Sequence, residues 1–248
     1  ADQNLDASIA QVRQWIAESE RIAVLTGAGV SAESGVPTFR DAQTGFWAQF
    51  SPEEMASRAG YEANPQRVWD WYQYRRDMLA GVSPNAGHRA LADFQRRHPG
   101  RFTLITQNVD GLHQRAGSTG VLCLHGDIFQ DRWLDTPRNC CFIDHAVADH
   151  PPYCDRCGNL LRPGVVWFGE PLPLATLEAA EQAAKQCDLM LVVGTAGAVY
   201  PAAGLAHQAR AAGGRMVVLN PAPSALDEVA HQVLTGTAAT LLPQLLDD

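Results

Sequence analysis

Six short apolar runs punctuate the 248-residue chain: RIAVLT (21–26), RFTLIT (101–106), VLCLH (121–125), VVWF (165–168), LMLVV (189–193) and RMVVLN (215–220). They are rich in β-branched residues and do not alternate apolar with polar. A strand with one wet face alternates, whereas a strand covered on both faces need not. Helical patterns lie between the runs. Leu5, Ile9, Val12 and Ile16 form one apolar stripe, and 86–97, 174–186 and 202–212 read similarly. Strands alternating with helices predict an α/β fold, a Rossmann-type doubly wound parallel sheet.

Two segments break the alternation. One is 42–84, with Pro52, Pro65 and the aromatic stretch VWDWYQYRR. The other is 127–163, with Pro137, Pro151, Pro152 and a Cys-x-x-Cys pair. The expected division is a sheet domain from 1–41, 85–126 and 164–248, and a smaller module from the insertions 42–84 and 127–163.

Composition excludes several classes. Apolar residues make up 46% and charged residues 19%, the proportions of a cored protein rather than a disordered one. A net charge of −8 offers no electrostatic footprint for nucleic acid. The most apolar stretch, Leu189 to Ala206, is broken by Gly194, Gly197, Pro201 and Gly204, so it reads as strand, loop and helix rather than a membrane span. The opening ADQNLDASIAQVRQWIAESE lacks the basic and apolar regions of a secretory signal, and a cytoplasmic location is expected. With six cysteines in such a chain, Cys-x-x-Cys points to metal or redox chemistry before disulfides.

Gly27-Ala28-Gly29-Val30-Ser31-Ala32 follows a predicted strand and fits G-x-G-x-x-[GA]. Glycines there permit a tight turn and close approach of backbone N–H groups to a pyrophosphate. The ribose-binding acid of a dehydrogenase, about 20 residues further on, is missing. Hydride transfer therefore fits badly.

Three further stretches, TQNVDGLHQRAG (106–117), LHGD (124–127) and VVWFGE (165–170), join GAGVSAESGVPTFR in order. Together they resemble the sirtuins, NAD-dependent protein deacylases. The resemblance runs from about residue 20 to the C-terminus. It implies that NAD is a co-substrate: nicotinamide leaves, the acyl oxygen attacks the ribose, and O-acyl-ADP-ribose and free lysine result. Gly27, Ala28, Gly29, Ser31, Phe39 and Arg40 would hold NAD, with Phe39 shielding the reacting ribose. Gln107, Asn108 and Asp110 would line the nicotinamide and ribose pocket, Asn108 also serving catalysis. Gly194, Thr195 and Ala196 match a Gly-Thr-Ser loop in which Ala196 lacks the hydroxyl. Asn220 and the Ala238 backbone would face the adenosine half.

His125 stands at the end of a predicted strand, where open α/β sheets place ligands. Imidazole is suited to general-base work near neutral pH, and the resemblance makes His125 that base. His88 and His113 are read as structural. Val166, Phe168, Gly169 and Glu170 would pair with an extended acyl-lysine peptide. Partners are thus acyl-lysine proteins or peptides, with neither nucleic acid nor membrane, and a monomer or weak oligomer is expected. Two rivals remain: an ADP-ribosyltransferase and a non-catalytic NAD or ADP-ribose sensor.

The sirtuin resemblance implies a structural zinc on two Cys-x-x-Cys pairs. Cys154 and Cys157 supply one pair. Where the other should fall the chain has Trp133 and Thr136. Cys140 and Cys141 are adjacent, which is poor spacing for two ligands of one ion. Either of them with His145 or His150 could complete a site. A zinc-free module with free thiols is the alternative.

Tyr72 and Arg75 are three apart and share a helix face. The plain reading is a packed aromatic face with a solvated Arg. The segment also resembles the sirtuin subclass that removes succinyl and malonyl groups, where Tyr-x-x-Arg lies at the acyl pocket and a small residue, here Ala56, leaves room for a longer chain.

Overall fold

The structure, a computed structural model, describes residues 3–38, 42–198, 200 and 202–248, apart from the side chain of Gln3. Phe39 and Arg40 lie outside the described residues.

The main sheet contains β1 (Ile22–Thr26), β2 (Phe102–Thr106), β3 (Leu122–Cys123), β6 (Leu189–Val193), β7 (Arg215–Asn220) and β8 (Gln232–Thr235). Its order is β3-β2-β1-β6-β7-β8, parallel throughout. This is the expected doubly wound sheet. The lack of alternation has the expected cause. Ile22 and Val24 enter one core while Ala23 and Leu25 enter the other, and Met190 and Val192 oppose Leu189 and Leu191 in the same way. One core is closed by α1 (Gln3–Glu18), α6 (Ala86–Arg97) and α10 (Ala238–Leu246), the other by α8 (Leu174–Gln186) and α9 (Ala202–Ala211). No described helix is long and apolar enough to cross a membrane.

The run VVWF is not a strand of this sheet. β5 (Leu161–Val165) ends where that run begins and pairs antiparallel with β4 (Gly126–Trp133) in a separate two-stranded sheet. The β5 side chains Leu161 and Val165, with Trp167, enter a third core. That core also holds Met55 and Ala56 from the segment around α3 (Pro52–Met55), Tyr61 from α4 (Arg58–Ala63), and Val68, Trp71 and Tyr72 from α5 (Pro65–Ala80). Local signals fix its helices: Ser51 caps α3 in a capping box with Glu54, Ser57 caps α4, and Asn64 with Pro65 starts α5.

Candidate functional site

The chain order of the sheet reverses between β1 and β6, and a crevice opens beyond their C-terminal ends, where ligands bind in such sheets. The loops after β1 and β6 meet there. A Cβ on Gly29 would lie 2.7 Å from the Gly194 Cα, and one on Gly27 would lie 2.8 Å from the Gly194 carbonyl. Contact between two protein loops thus already demands these glycines. Gly194 itself has φ +67 and would meet the Val30 nitrogen at 2.5 Å.

A cavity of about 340 Å³ opens beside this junction. Ala28, Gly29 and Ser31 line it from β1 and α2 (Gly29–Ala32), Gln107, Asn108 and Asp110 from the loop after β2, and Arg75 from α5. The loop after β2 is held from within. The Gln107 amide N–H donates to the Thr26 carbonyl at 3.0 Å, and its side chain donates to Thr195 Oγ1 at 3.2 Å. Asn108 Nδ2 donates to the Gly27 carbonyl at 3.0 Å and approaches Ser31 Oγ at 3.5 Å. Asp110 accepts from the Leu112 N–H at 2.9 Å and is 5% exposed. Burial raises its pKa, against the hydrogen bonds from Leu112 and Ser31.

His125 is half-buried between β3 and β4 and does not line this cavity directly. Its Nδ1 donates to the Gln107 carbonyl at 3.0 Å. A carbonyl can only accept, so the proton of the neutral ring sits on Nδ1 and Nε2 keeps a free lone pair. Burial lowers the pKa below 6.5, and the hydrogen bond to Gln107 only partly opposes it. The ring is therefore unprotonated and fixed in one tautomer near neutral pH. Gly126 follows with φ +86, and a Cβ there would lie 2.1 Å from the Gly164 carbonyl. Only glycine lets β5 come this close to the histidine.

His88 and His113 are buried in α6 and in α7 (Leu112–Arg115). His88 Nδ1 accepts the Asn85 N–H at 3.0 Å, so its Nε2 donates to Ser31 Oγ at 3.2 Å. His113 Nε2 lies 2.8 Å from Thr26 Oγ1, which donates to Thr106 Oγ1 at 2.7 Å. Burial lowers the two imidazoles to about 4 and about 3. Beyond the structural reading, these histidines buttress the loops that line the cavity.

Elsewhere, the Ala196 carbonyl accepts from Ser224 Oγ at 3.3 Å and the Ala225 N–H at 2.9 Å, so the loop after β6 is tied to the next segment despite its missing hydroxyl. Asn220 ends β7 and turns its Nδ2 to the Ala222 carbonyl at 2.9 Å. Ala238 begins α10 and packs on Gly87.

The Sir2 family profile matches residues 27–201. An NAD-dependent protein deacylase of Ralstonia nicotianae is 55% identical over 242 residues, spanning 97% of this chain and 96% of the relative. The chain belongs to the Sir2 family. An NAD-dependent protein deacylase of Mycobacterium tuberculosis is 47% identical over 234 residues, spanning 92% of this chain and 97% of the relative. Among solved structures, a Sir2 homologue–NAD complex aligns with TM-score 0.82 at 39% identity, covering 96% of this chain and 92% of that one. A Sir2 protein bound to a propionylated peptide aligns with TM-score 0.81 at 28% identity, covering 96% of this chain and 97% of that one.

In this Sir2 chain the loop after β5 is locked from below. Arg162 is buried and grips Glu170 with two bonds, Nη1 to Oε2 at 2.7 Å and Nη2 to Oε1 at 2.8 Å. Glu170 also accepts the Trp167 N–H at 2.8 Å and Arg132 Nη2 at 3.2 Å. Its carboxylate therefore engages the protein itself. The Val166 N–H bonds the His125 carbonyl at 2.8 Å and the Phe168 N–H bonds the Ala56 carbonyl at 3.0 Å, while the Phe168 side chain is exposed. The sequence reading missed Arg162 and Trp167. An Arg beside Pro163 in a short strand was the available signal.

Arg75 is packed over the rings of Trp71 and Tyr72 at 4.9 and 5.2 Å. Burial lowers its pKa, with Tyr72 opposing. Arg75 itself is half-buried. Tyr72 is 1% exposed, and burial raises its phenol.

The reading of the cysteines needs correction. The ligand atoms of Cys140, Cys141, Cys154 and Cys157 all lie within 4.8 Å of one another. Adjacency is no obstacle here, because the Cys141 N–H closes a turn onto the Arg138 carbonyl at 2.9 Å and the chain reverses between the two thiols. The partner pair sits in a second tight turn, where the Gly158 N–H bonds the Cys154 carbonyl at 2.9 Å. His145 and His150 are not in the cluster; His150 Nδ1 faces Asp70 at 2.9 Å. Tetrahedral zinc with four thiolates needs sulfurs about 3.8 Å apart. Cys141 and Cys157 Sγ are 3.5 Å apart, so the donor set fits zinc.

Proposed function

We propose that this Sir2 protein, an NAD-dependent protein-lysine deacylase, prefers acyl chains ending in a carboxylate, succinyl and malonyl, over acetyl. One observation carries the preference: a half-buried guanidinium, Arg75, lines the cavity and lies over the Tyr72 ring at 5.2 Å. Arg can take a carboxylate with two parallel hydrogen bonds, and Tyr can add a third. An acetyl group offers no such partner.

Ser31, Gln107, Asn108 and Asp110 would hold the nicotinamide and ribose. NAD supplies the electrophilic ribose carbon that takes the acyl oxygen. The His125 Nε2 lone pair would then accept a ribose hydroxyl proton. Zinc on the four cysteines would staple the small module and take no part in the chemistry. The divisions 1–41, 85–126 and 164–248 against 42–84 and 127–163 would put NAD on the sheet domain and the acyl tail against the small module.

The test is a panel of acyl-lysine peptides assayed with NAD. The expected result is a higher kcat/KM for succinyl-lysine than for acetyl-lysine. Arg75→Met should lower the succinyl value at least ~10-fold, as a charged hydrogen bond in a dry pocket implies, and spare the acetyl value. Equal loss of both would make Arg75 structural and end the acidic-acyl reading. Mass gain on the peptide instead of acyl loss would favour ADP-ribosyl transfer.

A further inference from the structure

We propose that Arg76 is a positioning residue that sets which length of acidic acyl tail is accepted, by fixing Arg75 relative to the loop after β2; this rests on the acidic-acyl reading of the same pocket.

In that reading the acyl-lysine spans two elements. Its carbonyl reacts at the ribose, beside Asn108 and Asp110 in the loop after β2, and its tail ends at Arg75 on α5. Both stretches line the cavity. The number of methylenes that fits between them depends on how the helix is joined to the loop. The joint is a bulge in β4. Asp127 faces Gly164 on β5 and Asp131 faces Pro163, so Ile128, Phe129 and Gln130 fall outside the register. Pro163 has no N–H to offer their carbonyls. Arg76 supplies donors instead. Its Nε donates to the Ile128 carbonyl at 2.5 Å, and its Nη2 donates to the Gln130 carbonyl at 3.2 Å and to Asp131 Oδ1 at 2.7 Å. The Ile128 N–H in turn bonds the Val109 carbonyl at 3.0 Å. Ile128 thus carries both bonds of the joint. Arg76 adjoins Arg75, and Val109 lies between Asn108 and Asp110, so each end of the joint is one position from a residue that would meet the substrate.

The joint is packed as well as bonded. Ile128 is fully buried, and the Arg76 side chain is 13% exposed and lies over the Trp69 ring at 5.4 Å. A guanidinium suits this place because its donors form a rigid planar fork, whereas a Lys ammonium is a single point on a flexible stem. The helix does not depend on Arg76 for its seat. Val68, Trp71 and Tyr72 are buried in the third core, and Arg115 donates to the Leu79 carbonyl at 2.9 Å near the end of α5. Weakening the fork should therefore loosen the spacing without unfolding the module.

The test is Arg76→Lys, assayed on lysine peptides carrying acetyl, malonyl, succinyl and glutaryl groups. The wild type should discriminate among the three acidic tails, which differ by one methylene each. In Arg76→Lys the best of them should lose ~10-fold or more in kcat/KM, the scale of a charged hydrogen bond put out of line, mainly through a higher KM. The spread among the three should narrow. The acetyl value should hold, because that group has no carboxylate for Arg75. In an Arg75→Met background, Arg76→Lys should change the ratios no further. A merely structural clamp would lower all four peptides together with their ratios intact, and that result overturns the role. If Arg76→Lys does not fold, Asp131→Asn weakens the same fork at its outer edge and should narrow the spread in the same direction; unchanged ratios there overturn the role equally. If the wild type prefers acidic tails to acetyl but treats the three alike, only the role of Arg76 falls. If it has no preference for acidic tails, the pocket reading and this inference fall together.

Discussion

Removing Glu170 should destabilise the protein more than removing its partner Arg162, although both deletions break the same ion pair. The asymmetry follows from burial. The Arg162 side chain is 1% exposed and that of Glu170 18%. Glu170→Ala leaves a guanidinium inside the protein with only the carbonyls of Pro163 and Val165 and the face of Trp167. Stranding one member of a buried pair costs ~3–5 kcal/mol. Arg162→Met leaves a carboxylate at the edge, which keeps Arg132, the Trp167 N–H and some water. Loss of a charged hydrogen bond under those conditions costs ~1.5–3 kcal/mol. Urea unfolding followed by tryptophan fluorescence should therefore place the Glu170→Ala midpoint below that of Arg162→Met, by about 2 kcal/mol in stability. The pH dependence supplies a check. Burial alone would raise the Glu170 pKa, but the bonds from Arg162 and Trp167 prevail and hold it below 4.5. A depressed carboxylate contributes stability above its unfolded pKa and loses it as pH falls through the folded value. The gap between wild type and Glu170→Ala should thus be constant near neutrality and close only below about pH 4.5. Equal midpoints, or a gap that ignores acid, would refute the reasoning.

Other outcomes are expected. His125→Ala should lower deacylation ~10²- to 10⁴-fold while NAD binding measured by calorimetry persists, and the acid limb of wild-type kcat/KM should lie below about pH 6.5. His88 and His113, lowered to about 4 and about 3, resist protonation in the fold; stability should be complete above about pH 6.5 and fall as acid protonates the unfolded chain, by roughly 2 kcal/mol for each at pH 5. Replacing His113 by Gln should flatten that slope in unfolding titrations. Metal analysis of protein prepared without chelator should find one zinc per chain, and Cys140→Ser or Cys157→Ser should each lower the stoichiometry and the melting temperature. Gly126→Ala should cost at least about 2 kcal/mol, because a left-handed residue is strained and its Cβ meets the Gly164 carbonyl; an unchanged thermal melt would count against the close approach.

The sheet was legible because its strands are buried on both faces and its helices carry regular stripes. Leu5, Ile9, Val12 and Ile16 lie in α1 as the spacing requires. VVWF misled because an apolar run says nothing about its partner, and Leu161–Val165 turns to β4 instead. β8 and α10 passed unnoticed: QVLT is only four residues long, and Pro243 interrupts the leucine-rich helix. The site motifs were visible as types and order. The tautomer of His125 was not, since it depends on a carbonyl 18 positions away. The cysteines were misjudged because spacing along the chain cannot show the turn that Arg138 closes.

The central strand pair of the sheet joins distant parts of the chain. Ile22 lies beside Leu189 and Thr26 beside Val193, and the Arg21 N–H is bonded to the carboxylate of Asp188, 167 positions on. During synthesis, β1 can pair with β2 but must wait for a strand 167 positions on before its other edge is covered. Until then a strand with no polar side chain except Thr26 stands open on that side. Pairings this remote also slow folding, since a long loop must close before any contact rewards it. Ribosome-bound chains stalled before residue 193 should therefore be protease-sensitive and held by chaperones, and resistance should rise abruptly once β6 and β7 emerge.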